Sequence, residues 1–183
     1  MLTTRDVEIK DFLDNYKVAT TSTIAHFFFP SQWAAYKRLK YLVDHKQIKR
    51  IRDSINNEYM YFAKRPKQLR HSLLVTEFYR EFSNQYQVVN FKIEPVLRNI
   101  RPDAVFGYVK NGKNYIGLLE VEISNKGFNF NKYEKFYSSY EYKNYFPVMP
   151  NIFIVTDKNI TRINNNIKYK IIKTEKYSLR IPK

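Results

Sequence analysis

Asp103, Glu120 and Glu122, with Glu94 shortly before them, are the residues whose types and spacing could do chemistry. Each sits in or beside a short apolar run of the kind that forms strands, where side chains alternate between the two faces. Glu120 and Glu122 then share one face with Ile116 and Leu118, while Leu119, Val121 and Ile123 share the other. Asp103 falls on the face opposite Ala104 and Phe106. Two carboxylates ~4 Å apart repel by roughly 4 kcal/mol at an effective dielectric near 20. Acids converging in this way call for a divalent metal, a lysine or arginine, or open water.

The elements that must position them follow from the flanking pattern. Arg101-Pro102-Asp103-Ala104-Val105-Phe106 runs out, a turn falls at Asn111-Gly112-Lys113-Asn114, and Tyr115 to Ile123 returns, which predicts a β-hairpin. Before it, Arg70 to Phe82 reads as an amphipathic helix and Val88 to Glu94 as a strand closed by Pro95. After it, Asn131 to Tyr145 reads as one helix, with Tyr133, Phe136, Tyr137 and Tyr140 at helical spacing, and Asn151 to Thr156 as a buried strand. The order is αβββαβ. In the tail from Asn159 to Lys183, basic and β-branched residues alternate, a pattern that either adds strands at a sheet edge blunted by lysine or extends the basic footprint.

Composition narrows the partner. The chain has 183 residues, 44% hydrophobic and 17% aromatic, which suits a globular protein with a real core. Thirty-two Lys and Arg stand against 17 Asp and Glu, a net charge of +15, and a polyanion is the partner class this favours. Cysteine is absent, so disulfides and thiolate zinc sites are excluded, and a reducing, cytoplasmic setting is expected. No apolar run has transmembrane length, and a membrane is not an expected partner. Gly-rich phosphate loops are also missing. The tyrosine-rich segment reads as a core face or a stacking surface rather than a source of nucleophiles, because the only histidines, His26, His45 and His71, are far apart.

The basic charge gathers in the first third. Thr3 or Thr4 caps a first helix with Val7, Ile9, Phe12, Leu13 and Tyr16 as its apolar positions. Thr21-Ser22-Thr23 caps a second helix that stops at Phe29-Pro30. Ser31 caps a third from Gln32 to about His45, buried through Ala35, Leu39, Leu42 and Val43. Two β segments follow, Ile48–Arg52 and Tyr59–Phe62, with a polar tip from Asp53 to Glu58. This order describes a winged helix-turn-helix. Between Lys37 and Arg70 eleven Lys or Arg face three acids, Asp44, Asp53 and Glu58. Helix three would enter the major groove of double-stranded DNA and the wing would track phosphates. The expected contacts are Trp33, Lys37, Arg38, Lys40, Lys49, Arg50 and Arg52. A winged helix that binds protein and merely solvates its basic face is the plainer alternative.

Glu94, Pro102-Asp103 and Glu120-Val121-Glu122 on consecutive strands resemble the PD-(D/E)XK nuclease-like fold. That resemblance implies a metal held by Asp103 and Glu120, with Glu94 as a further ligand, and magnesium or manganese suits such all-oxygen donors. The position where the motif carries a lysine holds Glu122. A migrated lysine would come from Lys92, Lys132 or Lys135, so Asp103, Glu120, Glu122 and Lys132 are the catalytic candidates if the site is active. Taken together, the winged helix, His71, Glu94, Pro102, Asp103, Glu120, Glu122, Lys132 and Tyr137 make the chain similar to the replication-relaxation family of plasmids and other mobile elements.

The expectation is an α+β protein, with a winged helix-turn-helix over residues 1–64 and a nuclease-like α/β domain over 70–183. The resemblance implies an accessory of plasmid replication or DNA relaxation, working with other proteins of those processes, whose nuclease-like domain is degenerate. A metal-dependent endonuclease and a homodimeric transcriptional regulator are the alternatives. The acids also have a plain reading, as solvent-facing strand residues paired to Lys92 or Arg101, with Asp103 capping a turn.

Overall fold

The computed structural model describes residues 1–53, 57–124, 127–160, 167–175, 178–179 and 181. They form a mixed α+β fold that divides into two compact units, residues 1–80 and 81–183. The middle of the expected wing tip, and much of the tail from Asn159 onward, lie outside the described residues.

The first unit begins with α1 (Thr4–Tyr16). Thr3 and Asp6 cap it reciprocally: Asp6 accepts from the Thr3 amide at 2.6 Å and the Thr3 hydroxyl at 2.8 Å, while its own amide donates back to that hydroxyl. Ile9, Phe12 and Leu13 are buried along α1, whereas Val7, expected on the same face, is half exposed. Next come β1 (Ala19–Thr20) and α2 (Thr21–Phe28). The N-cap of α2 is Thr20, whose hydroxyl accepts from the Thr23 amide at 3.1 Å. Phe29 ends the helix in extended geometry before Pro30. Ser31 caps α3 (Gln32–Asp44), buried through Ala35, Leu39 and Leu42. Then β2 (Lys49–Asp53) and β3 (Glu58–Phe62) pair antiparallel, and β1 adds to the other edge of β3. Strand β1 has no sequence signature, because two residues are too short to show alternation. Helix α4 (Leu69–Ser83) follows; the division between the units falls within it, after Arg80, later than the boundary expected between residues 64 and 70.

The second unit is built on a six-stranded sheet. Its strands are β4 (Gln87–Ile93), β5 (Ala104–Lys110), β6 (Lys113–Val121), β7 (Asn151–Thr156), β8 (Tyr169–Glu175) and β9 (Ser178–Leu179), adjacent in that order. The first three form an antiparallel meander, β6–β7 and β7–β8 pair parallel, and β9 returns antiparallel. Strands β5 and β6 are joined by Asn111 and Gly112, both with positive φ (51° and 71°), as a two-residue hairpin loop with native twist requires. Gly117 on β6 lies beneath the ring of Phe106: a Cβ there would come within 2.3 Å of that ring.

One face of the sheet carries Phe91, Phe106, Tyr108 and Phe153, with Phe82 edge-on to the last three. The other carries Leu118, Ile152 and Ile154 against α5 (Phe130–Ser138). This helix is shorter than the expected segment ending at Tyr145. Tyr140 adopts the left-handed conformation (φ 57°), and the chain continues as a short 3-10 helix, Glu141–Asn144. Glu141 accepts from Asn99 Nδ2, and Tyr142 turns inward to the α5 side of the core, contacts a continuous helix would not give.

Candidate nucleic-acid interface and acidic cleft

Burying Ala35, Leu39 and Leu42 fixes the rotation of α3 and turns Trp33, Tyr36, Lys37 and Lys40 outward on one stripe. Trp33 is 65% exposed, and Lys37 Nζ sits 3.2 Å from the centroid of its indole. Tyr36 stacks toward Tyr59 of β3 with ring centroids 6.3 Å apart, and Arg50 lies 4.3 Å over the Tyr59 ring. Lys40 pairs with Asp44 one turn on at 3.2 Å, both groups exposed and the pair worth little. On β2, Lys49 and Arg52 are exposed and Arg52 donates to Asn57, while Arg50 is half buried. Tyr36 joins this surface although sequence reasoning left it out; the signal was its spacing three residues from Trp33.

Arg38 belongs elsewhere. Its Nε donates to Asp6 Oδ1 at 2.8 Å, its Nη2 to Asp6 Oδ2 and, at 3.1 Å, to the Met1 carbonyl, and its guanidinium lies 4.4 Å over Tyr41. Asp6 is fully buried, and the Arg38 hydrogen bonds hold its carboxyl far below the usual carboxylate range against the cost of burial. Expected among the DNA contacts, Arg38 is instead committed to fastening α3 onto α1. Rotation about α3, which a charge count does not contain, decides which cations face outward.

In the second unit the acids separate into different environments. Asp103 immediately precedes β5; its amide donates to the Leu119 carbonyl and its Oδ2 accepts from the Val121 amide at 2.7 Å. Glu120, on β6, accepts from Lys132 Nζ at 3.0 Å and from the Tyr133 hydroxyl. Burial pushes the Glu120 carboxyl up; the Tyr133 hydrogen bond and the Lys132 charge oppose this, and Asp103 adds to it. Burial, reinforced by Glu120, pushes the Tyr133 hydroxyl well above the usual phenol range, which keeps it a donor. Glu122 lies just past β6 and its carboxylate accepts from the amide and hydroxyl of Ser124. Glu94, in left-handed conformation (φ 47°), pairs with Arg101 at 3.4 Å.

Glu120, Glu122, Lys132 and Tyr133 line one cleft of about 510 Å³ with Ser124, Phe128 and Asn129. Of the three lysines open from the sequence, Lys132 is the one hydrogen-bonded to Glu120. Tyr133, which sequence reasoning treated only as part of a helical stripe, completes the site. Among the described residues no group of three or more His, Cys, Asp or Glu is placed to hold a metal ion. Asp103 lies close enough to Glu120 for its charge to act on that carboxyl. A carboxyl with a lysine and a phenol on it can also position water or a phosphate oxygen with no metal bound.

The class that fold and site define is a basic α+β protein of two units. No helix among the described residues is long and apolar enough to cross a membrane. Compared with protein-family models, curated proteins and solved structures, the chain gives no match.

Proposed function

We propose that this chain binds double-stranded DNA through α3, with α2–α3 as a helix-turn-helix and β2–β3 as its wing. The observation that carries the reading is the outward stripe Trp33, Tyr36, Lys37 and Lys40, flanked by Lys49 and Arg52. An aromatic and cationic helix face on a chain of charge +15 matches the chemistry of a phosphate backbone with bases behind it. Within this reading the second unit is a PD-(D/E)XK-like scaffold with a degenerate site. The protein then serves plasmid or mobile-element replication or DNA relaxation as a cytoplasmic accessory, alone or as a homodimer, beside other proteins of that machinery. Fluorescence anisotropy with a labelled duplex tests it: Lys37→Ala/Lys40→Ala should weaken binding and lower the salt slope by roughly 1.8, at about 0.9 for each phosphate no longer neutralised. An unchanged affinity and slope would refute it.

One observation favours a second reading, a metal-dependent endonuclease. Lys132 meets Glu120 from the following helix, and in this reading it takes the role of the lysine that Glu122 replaces. Supercoiled plasmid with magnesium or manganese is the test; nicking by the wild type that disappears in Asp103→Ala supports an active site. No nicking, or equal nicking by both, leaves the second unit a scaffold.

A further inference from the structure

The second unit holds another cleft, on the sheet face away from Glu120. It measures about 160 Å³ and is lined by Tyr86, Tyr108, Asn151 and three cations, Lys110, Lys168 and Lys170. Tyr108 pairs across β5–β6 with Tyr115, five residues before Glu120, so the two sites are separated by roughly 17 Å along the strand as well as by the sheet. Tyr108 shares its face with Phe106, whereas Glu120 shares its face with Leu118.

The cleft is small and built. Drug-sized ligands fill roughly 300–1,000 Å³, so this one has room for a group no larger than about one ring system. The Tyr86 and Tyr108 rings stand 5.8 Å apart, Tyr108 stacks on Tyr115 at 5.4 Å, and Asn151 Nδ2 donates to the Tyr108 hydroxyl at 3.0 Å, which fixes that ring. Lys110 Nζ lies 5.4 Å from the Tyr86 centroid. No carboxylate lines the cleft among the described residues. An acidic peptide would use the ammonium groups and leave the aromatic walls empty. A planar ring carrying phosphate uses both.

We propose that this cleft takes one nucleobase, with its adjoining phosphates on Lys110, Lys168 and Lys170. The ligand is then an unpaired nucleotide of a single strand, or a free mononucleotide of the same chemistry. Stacking tolerates any base, because every base presents a π face.

The test uses the full chain carrying Lys37→Ala/Lys40→Ala, so that α3 does not dominate the signal. A short fluorescein-labelled oligothymidylate should still bind. Adding Lys110→Ala/Lys168→Ala/Lys170→Ala should weaken it about tenfold or more and lower the salt slope by roughly 2, at about 0.7 per phosphate on a single strand. Adding Tyr86→Ala instead should weaken it roughly fivefold or more with the salt slope unchanged. A 5-iodouracil oligonucleotide should photocross-link to a peptide containing Tyr86 or Tyr108. Competition by thymidine monophosphate as effective as by the oligonucleotide assigns the cleft to free nucleotides; competition only by the strand assigns it to single-stranded nucleic acid. Unchanged oligothymidylate affinity in both variants, or a cross-link confined to other peptides, overturns the proposal. Duplex binding that survives Lys37→Ala/Lys40→Ala would sink the α3 reading alone and leave this one standing.

Discussion

Replacing Arg38 with methionine separates a structural cation from a DNA-reading one. Methionine keeps the apolar stem over Tyr41 and removes the guanidinium that meets both oxygens of Asp6. Asp6 is fully buried, and Thr3 would remain as its partner. Stripping one member from a buried ion pair costs about 3–5 kcal/mol, and the 27% exposure of the Arg38 side chain, which lets water in, argues for the lower end. A loss of about 3 kcal/mol in a unit of this size lowers Tm by about 12–24 °C. The pH dependence carries a sign of its own. The folded-state pKa of Asp6 is depressed, so the stability it contributes is present above the ordinary carboxylate value and is lost as pH falls. The gap between wild type and Arg38→Met should therefore be widest near pH 7 and narrow toward pH 3. Thermal unfolding by circular dichroism at both pH values reads it, with duplex anisotropy alongside. If Arg38→Met melts within a few degrees of wild type at pH 7 and loses DNA affinity, Arg38 is a DNA contact and the clamp is refuted.

Gly117→Ala places a Cβ within 2.3 Å of the Phe106 ring, an overpacking that should cost about 1–3 kcal/mol and lower the urea midpoint; an unchanged midpoint would show that the ring moves freely. Lys132→Met removes a charge that holds the Glu120 carboxyl down, so its titration, followed by carbon NMR, should move further upward. A raised carboxylate pKa means stability that is full below the ordinary glutamate value and lost as pH rises. The Lys132→Met deficit should therefore be small near pH 4 and larger near pH 7, and equal deficits at both would count against the pairing.

The local grammar of this chain was largely legible. Ser31 before Gln32, Phe29-Pro30 at the end of α2, and Asn111-Gly112 between alternating strands each announce an element with a physical mechanism, and those elements are there. Rotation was harder to read. Periodicity gave the buried stripe of α3, but whether Arg38 on its flank faced DNA or Asp6 depended on a partner 32 residues away. The break at Tyr140 was hidden for a similar reason: aromatic spacing runs straight through it, and the contacts of Glu141 and Tyr142 that favour the break are long-range. In the acidic hairpin, alternation put Glu120 on the correct face, yet its phenol and lysine partners come from a helix that pattern alone cannot dock.

Glu77 is nearly buried on α4, where its Oε1 accepts from the hydroxyls of Thr20 and Thr23 while Oε2 receives Arg80 at 2.7 Å. Thr20 is the residue that caps α2, and Tyr79, one turn of chain beyond Thr76, stacks on Tyr16. A fragment ended at residue 64 would keep every element from α1 to β3 and yet leave Thr20 and Thr23 without the Glu77 carboxylate and Tyr16 and Phe27 without the Tyr79 ring. The extent of the first unit is thus set by a carboxylate and an aromatic ring in the next helix, and a fragment meant for solution work or crystallisation should run at least through Arg80.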